Sequence, residues 1–129
     1  MPKHIYIHKR IPSFNKTIKV SSDKSLSIRA VLLASQAVGV SKISNLLESE
    51  DVLNALKTIK KLGIDYKKKK NCYEIYGFGL NGFNPKNNTI INAGNSGTLG
   101  RLILSLLIKT NKKIKLIGDK SLSKRDFSR

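Results

Sequence analysis

Ser22-Asp23-Lys24-Ser25-Leu26-Ser27-Ile28-Arg29-Ala30 sets a lysine, a serine and an arginine at the start of a helical segment. From Ser25 to Val38 the apolar positions Leu26, Ala30, Leu33 and Ala37 recur at helical spacing, and Gly39 is expected to end the helix. Ser25 and Arg29 are four apart, so both project from one side, away from the Leu26–Leu33 stripe. Lys24 is expected just ahead of the first turn, where the loop aims it at the same ligand. Positive charge at a helix N-terminus opposes the helix dipole, so an anionic ligand justifies it better than stability does. Nearly the same string returns as Gly118-Asp119-Lys120-Ser121-Leu122-Ser123-Lys124-Arg125.

Outward from this stretch, His4–Ile7 and Lys16–Val20 alternate apolar and polar residues, as short strands do. Val40–Ile43 reads as a strand, and Ser49 as the cap of a second helix with Val52, Leu53, Leu56, Ile59 and Leu62 buried and Gly63 just past its end. Ile64–Tyr66 and Tyr73–Tyr76 read as paired strands, and the stretch from Gly77 to Pro85 as a turn-rich connector. Thr89–Asn92 is a further strand. It runs through the glycine-rich Ala93-Gly94-Asn95-Ser96-Gly97-Thr98-Leu99-Gly100-Arg101 into a helix from Thr98 to Ile108, expected to be buried all round. Glycines between a strand and a helix let backbone N–H groups approach an anion, although a tight strand-to-helix turn needs them equally. Lys113–Ile117 is the last strand. The element order predicts an α+β fold built from repeats, with sheets covered by helices.

The chain has 129 residues, a formal charge of +17 and 40% hydrophobic residues, which suits one globular domain with a real core. Such a charge favours anionic partners: nucleic acid, an acidic membrane or phosphorylated small molecules. Lysine, isoleucine and asparagine are abundant together, so much of the charge also reads as compositional bias on a solvated surface. Lys67-Lys68-Lys69-Lys70, with Tyr66 and Tyr73 nearby, is either a grip on a nucleic-acid backbone or a hairpin tip; a run of like charges favours the tip. Cys72 is the single cysteine, which excludes an intramolecular disulfide and a cysteine-based zinc site. His4 and His8 lack obvious partner ligands for a metal. No signal-peptide core or membrane-length apolar run is present, and a reducing cytoplasm fits.

Three separated stretches together resemble the 5-enolpyruvylshikimate-3-phosphate synthase family. Ser22 to Ala30 resembles its first signature, Asn92-Ala93-Gly94-Asn95-Ser96-Gly97-Thr98 with Arg101 its glycine-rich signature, and Gly118 to Arg125 its third N-terminal element. Leu46-Leu47-Glu48-Ser49-Glu50-Asp51-Val52 followed by Leu62-Gly63 is similar to its second helix. The resemblance implies lobes of βαβαββ repeats in an inverted α/β prism-like arrangement, here incomplete. Residues 1–20 would be strands pairing with a missing lobe, and residues 21–129 part of a substrate-binding lobe cut off at its C-terminus.

The implied reaction moves the enolpyruvyl group of phosphoenolpyruvate to the 5-hydroxyl of shikimate 3-phosphate, releasing phosphate, with no metal or organic cofactor. The resemblance implies that Lys24, Ser25 and Arg29 bind shikimate 3-phosphate, with Lys24 touching both substrates and counted as catalytic. Gly97 and Arg125 match phosphoenolpyruvate-binding positions, while Asn95 and Asp51 match polar positions lining the cleft. Departures from the family pattern are Ser22 for a glycine, Ile28 for a common histidine, Leu102 for a proline and Asp126 for a proline. Asp126 sets a negative charge next to Arg125. The fragment alone is expected to be inactive, its implied partners being the two substrates and the missing C-terminal part of the enzyme, with neither membrane nor nucleic acid.

Two rivals stand beside this reading. The sister enolpyruvyl transferase acting on UDP-N-acetylglucosamine normally carries a reactive cysteine shortly before the arginine, where this chain has Lys120-Ser121-Leu122-Ser123. A basic nucleic-acid-binding module would use Lys67–Lys70 and bind with steep salt dependence.

Overall fold

In the computed structural model, the structure describes residues 20–128 and the isolated positions 6, 8, 9, 13, 15 and 17. The strands expected over His4–Ile7 and Lys16–Val20 lie outside the described residues, apart from a few single positions.

The first helix, α1 (Lys24–Gln36), starts at Asp23, whose carboxylate accepts the Leu26 N–H at 2.6 Å. This satisfies one of the donors a helix leaves unpaired at its start. The helix ends at Gln36, and Ala37 turns extended straight into strand β1 (Val38–Ser44). Gly39 therefore lies inside the strand and does not end the helix as expected. The buried face of α1 is also the opposite of the expected one. Ser27, Ile28, Val31, Leu32, Ala34 and Ser35 are buried, whereas Leu26 and Leu33 are 63% and 71% exposed. Both sides of this helix are apolar, so periodicity alone could not choose between them.

Helix α2 (Glu50–Lys61) carries Glu50 and Asp51 in its first turn and Lys60 and Lys61 in its last, an arrangement that complements the helix dipole at both ends. It stops as the sequence predicts. The Gly63 N–H donates to Lys60 O at 3.1 Å, and the Ile64 N–H donates to Ile59 O at 2.9 Å. This is the paired closure that requires a left-handed residue, and Gly63 has φ +92°. Ser49 precedes the helix as expected, yet its hydroxyl makes no capping bond and is buried without a partner. Leu53, expected inside, is partly exposed, and Ala55 and Thr58 take the buried face instead.

Strands β2 (Tyr66–Lys68) and β3 (Cys72–Phe78) complete an antiparallel sheet with β1, in the order β1-β3-β2. Val40 faces Tyr76 and Ser41 faces Ile75 across β1 and β3. The inner face, with Tyr73 and Ile75 buried, receives α1. Gly77 marks the closest approach: a Cβ there would run into the carbonyl oxygens of Ala34 and Ala37 at the end of α1. Strands β4 (Thr89–Asn92) and β5 (Ile114–Ile117) form a separate parallel pair, joined through helix α3 (Gly97–Leu106). Only Gly97, Leu99, Gly100 and Ile103 of α3 are buried; Leu102 and Leu104 are exposed, against the expectation of burial all round. A short 3-10 turn, Leu122–Lys124, follows β5.

The hydrophobic core is one cluster. Helix α1 is its hub, because it packs against α2, β3 and α3. This α+β order places the start of α1, the start of α2 and the β4–α3 loop in one neighbourhood.

Candidate functional site

Lys24 is the first residue of α1, and its Nζ lies 2.7 Å from the Asp51 carboxylate at the start of α2. The lysine side chain is half exposed and the aspartate side chain only 12% exposed, so the pair ties a buried carboxylate to an ammonium that still meets solvent. The same carboxylate borders the glycine loop: its Oδ1 is 3.9 Å from where a Cβ on Gly94 would stand, and Asn54 Nδ2 is 2.7 Å from that point. A side chain at residue 94 would therefore collide with the start of α2.

Ser25 and Arg29 follow Lys24 round the helix. Arg29 is exposed and edges an apolar groove of about 290 Å³ between α1 and α3, lined by Leu33, Leu102 and Leu106 among others. The structure thus places Lys24 towards α2 and Arg29 towards α3. Ser27, which sequence reasoning passed over, is the buried serine of this stretch, and its hydroxyl accepts the Leu47 N–H at 3.1 Å. That bond fixes the approach to α2.

A second cluster forms where β4 meets α3. Ser96 caps α3, its hydroxyl accepting the Leu99 N–H at 3.0 Å. Gly97 is the first residue of the helix, and two guanidinium groups converge on it. A Cβ at this position would stand 2.9 Å from Arg125 Nη1 and 3.6 Å from Arg101 Nη1. Arg125 is steered there by Asn95, whose side-chain oxygen accepts from Arg125 Nη2 at 3.0 Å. Arg101 is held from behind: its Nη2 donates to the Asp126 carbonyl at 3.1 Å, and its guanidinium lies over the Phe127 ring at 5.5 Å. Two cations and the positive end of a helix thus share one spot, a combination that an anion completes.

Asp126 does not neutralise Arg125. Its carboxylate accepts the Ser128 N–H at 2.7 Å, and the Ser128 hydroxyl first and this N–H second hold its pKa below the ordinary carboxylate value, with Arg101 assisting at longer range. No Asp126–Arg125 ion pair forms among the described residues. Asp119 is a second carboxylate of depressed pKa, lowered first by the Leu122 N–H and then by the Asn95 amide.

The lysine run is mostly occupied within the fold. Lys67 lies 5.6 Å over the Tyr76 ring, Lys68 pairs with Glu48 at 2.7 Å, and Lys69 is 3.8 Å from Glu74. Glu48 also accepts the Tyr73 hydroxyl at 2.9 Å. This hairpin is therefore stitched to the α2 approach, and three of its four lysines already have partners.

The family model for EPSP synthase (3-phosphoshikimate 1-carboxyvinyltransferase) matches residues 9–129. The chain belongs to the EPSP synthase family. Among its relatives, the 3-phosphoshikimate 1-carboxyvinyltransferase of Ruthia magnifica subsp. Calyptogena magnifica is 42% identical over 124 residues, covering 96% of this chain and 28% of the relative. That of Streptococcus pyogenes serotype M2 is 43% identical over 113 residues, 88% of this chain and 26% of the relative. The solved EPSP synthase from Acinetobacter baumannii superposes with a TM-score of 0.76 at 32% identity, over 85% of this chain and 25% of that one. The chain thus spans about a quarter of the length of the EPSP synthases it matches. No helix among the described residues is long and apolar enough to cross a membrane.

Of the residues singled out from the sequence, the structure brings together Asn95, Gly97 and Arg125 in one contact network, and Lys24 and Asp51 in another beside the same glycine loop. Ser25 and Arg29 stand apart from both on α1. The sequence alone assigns no role to Arg101 or Asp119. The bonds that bring them to the site, Arg101 to the Asp126 carbonyl and Asp119 to Asn95, join residues more than twenty positions apart, so no local pattern announces them, although Asp119 occupies in its string the place Asp23 occupies in the first.

Proposed function

We propose that this chain supplies part of the substrate-binding lobe of a 3-phosphoshikimate 1-carboxyvinyltransferase. The whole enzyme transfers the enolpyruvyl group of phosphoenolpyruvate to the 5-hydroxyl of shikimate 3-phosphate and releases inorganic phosphate. The observation that carries this reading is the convergence of Arg101 and Arg125 on Gly97 at the N-terminus of α3. Phosphoenolpyruvate offers a carboxylate and a phosphate, both matched by the forked donors of a guanidinium.

Two polyanions side by side repel each other, and fixed cations offset that repulsion before the reaction begins. Arg125 and Gly97 hold phosphoenolpyruvate, with Asn95 setting the arginine. Ser25 and Arg29 hold shikimate 3-phosphate from the α1 side. Lys24 lies between them, kept at the edge of the cleft by Asp51. The hydroxyl oxygen attacks C2 of phosphoenolpyruvate and gives up its proton to a base, while the methylene carbon gains a proton and becomes a methyl group. The adduct then loses one methyl hydrogen as a proton while the bond from C2 to the phosphate oxygen breaks, which restores the double bond and releases phosphate. These proton transfers need acid–base groups beyond Lys24, supplied by the remainder of the enzyme, which is this chain's first partner. A cytoplasmic location suits an enzyme acting on such phosphorylated metabolites.

The test is turnover by the complete enzyme. Lys24→Met and Arg29→Ala abolish phosphate release while circular dichroism stays that of the parent. Normal turnover in either variant overturns the reading. The chain alone is inert, and mixing it with the remaining part of the enzyme restores phosphate release.

A further inference from the structure

We propose that Asp119 is a positioning residue that decides which way the Asn95 amide faces, and through it where the Arg125 guanidinium points. The inference deepens the proposed function and rests on it for the identity of the anion, but not for the geometry.

The network has three members in series. One Asp119 oxygen accepts Asn95 Nδ2 at 2.6 Å, and the other accepts the Leu122 N–H at 2.6 Å. The Asn95 oxygen then accepts Arg125 Nη2 at 3.0 Å. An amide side chain has a donor end and an acceptor end, while an ionised carboxylate only accepts. With Asp119 ionised, the donor end must face it, which leaves the acceptor end for the arginine. Reversing the amide would set its NH₂ against the guanidinium, donor against donor.

The backbone delivers both partners to this register. The β4–β5 pairing continues past the strands, with Ala93 N–H donating to Ile117 O and Asp119 N–H donating to Gly94 O, each at 2.9 Å. The glycine loop and the arginine segment are thereby locked side by side, so Asp119 stands opposite Asn95 before any ligand arrives. Arg125 is the charged side chain acting on Asp119, and its field also favours the ionised carboxylate.

The two copies of D-K-S-L-S-x-R clarify the division of labour. Asp23 accepts the Leu26 N–H and Asp119 the Leu122 N–H, both at 2.6 Å, so each aspartate caps the turn that follows it. Only Asp119 has its second oxygen committed to a side chain of the glycine loop. Capping alone accounts for Asp23. It leaves the Asn95 bond of Asp119 without a purpose unless the amide is being oriented.

The decisive experiment swaps the polarity. Asp119→Asn keeps an acceptor for the Leu122 N–H but presents an NH₂ to Asn95, which turns the amide round and releases Arg125. Asn95→Ala removes the relay and leaves the cap untouched. In the double variant D119N/N95D, the new carboxylate at 95 accepts from both neighbours, and the formal charge is unchanged. The readout is side-chain NMR of the complete enzyme carrying labelled asparagine and arginine, followed by titration with phosphoenolpyruvate. The parent shows a slowly exchanging Asn95 NH₂ and a rotationally restricted Arg125 guanidinium. Both single variants lose the Arg125 restriction, and the double variant regains it. Phosphoenolpyruvate binding falls about tenfold in either single variant, as expected for one lost charge-assisted hydrogen bond. Arg125 staying restricted in Asn95→Ala, or in Asp119→Asn, overturns the inference, as does failure of the double variant to restore it. If these restrictions behave as stated but the parent binds no phosphoenolpyruvate, the positioning role stands and the proposed substrate falls.

Discussion

Arg125 Nη1 lies 2.9 Å from the point where a side chain on Gly97 would begin. A methyl group cannot occupy that point unless the guanidinium withdraws, so glycine is demanded here by a neighbour and not by backbone conformation. Gly97→Ala is therefore expected to fold normally, because alanine favours a helix over glycine. Its measured defect is weaker anion binding: in a calorimetric titration with phosphoenolpyruvate, the affinity falls while the thermal midpoint holds or rises. An unchanged affinity would show that Arg125 is not part of the anion site.

The hub role of α1 predicts a sharp contrast between residues a few positions apart. Ile28→Ala empties a fully buried site and costs about 3 kcal/mol in a denaturant titration. Leu33→Ala, on the exposed side of the same helix, costs less than about 0.5 kcal/mol. Reversed magnitudes would mean that the helix packs through the stripe expected from periodicity.

Acid should loosen the hairpin before the core. The Lys68 ammonium and the Tyr73 hydroxyl, in that order, hold Glu48 below its ordinary pKa of 4.5. A carboxylate with a depressed folded-state pKa stabilises fully above the unfolded value, and that contribution is lost as pH falls through the folded-state value. Glu48→Gln is expected to lower the thermal midpoint near neutrality, with the gap to the parent closing as pH drops from about 5 to about 3. A gap that is constant with pH would remove the charge from the explanation.

Asp51 carries two loads, the Lys24 pair and the dipole of α2. Asp51→Asn retains a hydrogen-bonding side chain but gives up the charge, and costs about 1 kcal/mol of stability. In the complete enzyme the larger consequence is kinetic. Lys24 loses its anchor and kcat falls more than KM rises, whereas a purely structural role would leave both near the parent values.

Much of this architecture could be read from local chemistry. Helix α2 and strand β4 stand where the sequence put them, because Gly63 and the β-branched run Thr89-Ile90-Ile91 act over a few residues. The face of α1 could not be read, since Leu26 and Leu33 compete with Ile28, Val31 and Leu32, and the choice is made by α2, β3 and α3 later in the chain. The site divides the same way. Lys24, Arg29, Gly97 and Arg125 sit in recognisable strings, but the Asp119–Asn95–Arg125 relay and the Arg101 clamp on Phe127 exist only after β4 and β5 have paired.

The hub position of α1 also has a temporal side. The helix is synthesised first among the described elements, yet the surfaces that cover it arrive only later, with α2, then β3 and finally α3. During synthesis it must wait, apolar on both sides, for partners still inside the ribosome. Contacts of such long sequence separation slow folding, and waiting apolar surface invites capture by chaperones or by other chains. The large positive charge then acts as a guard: nascent copies repel each other until the last helix closes over the first.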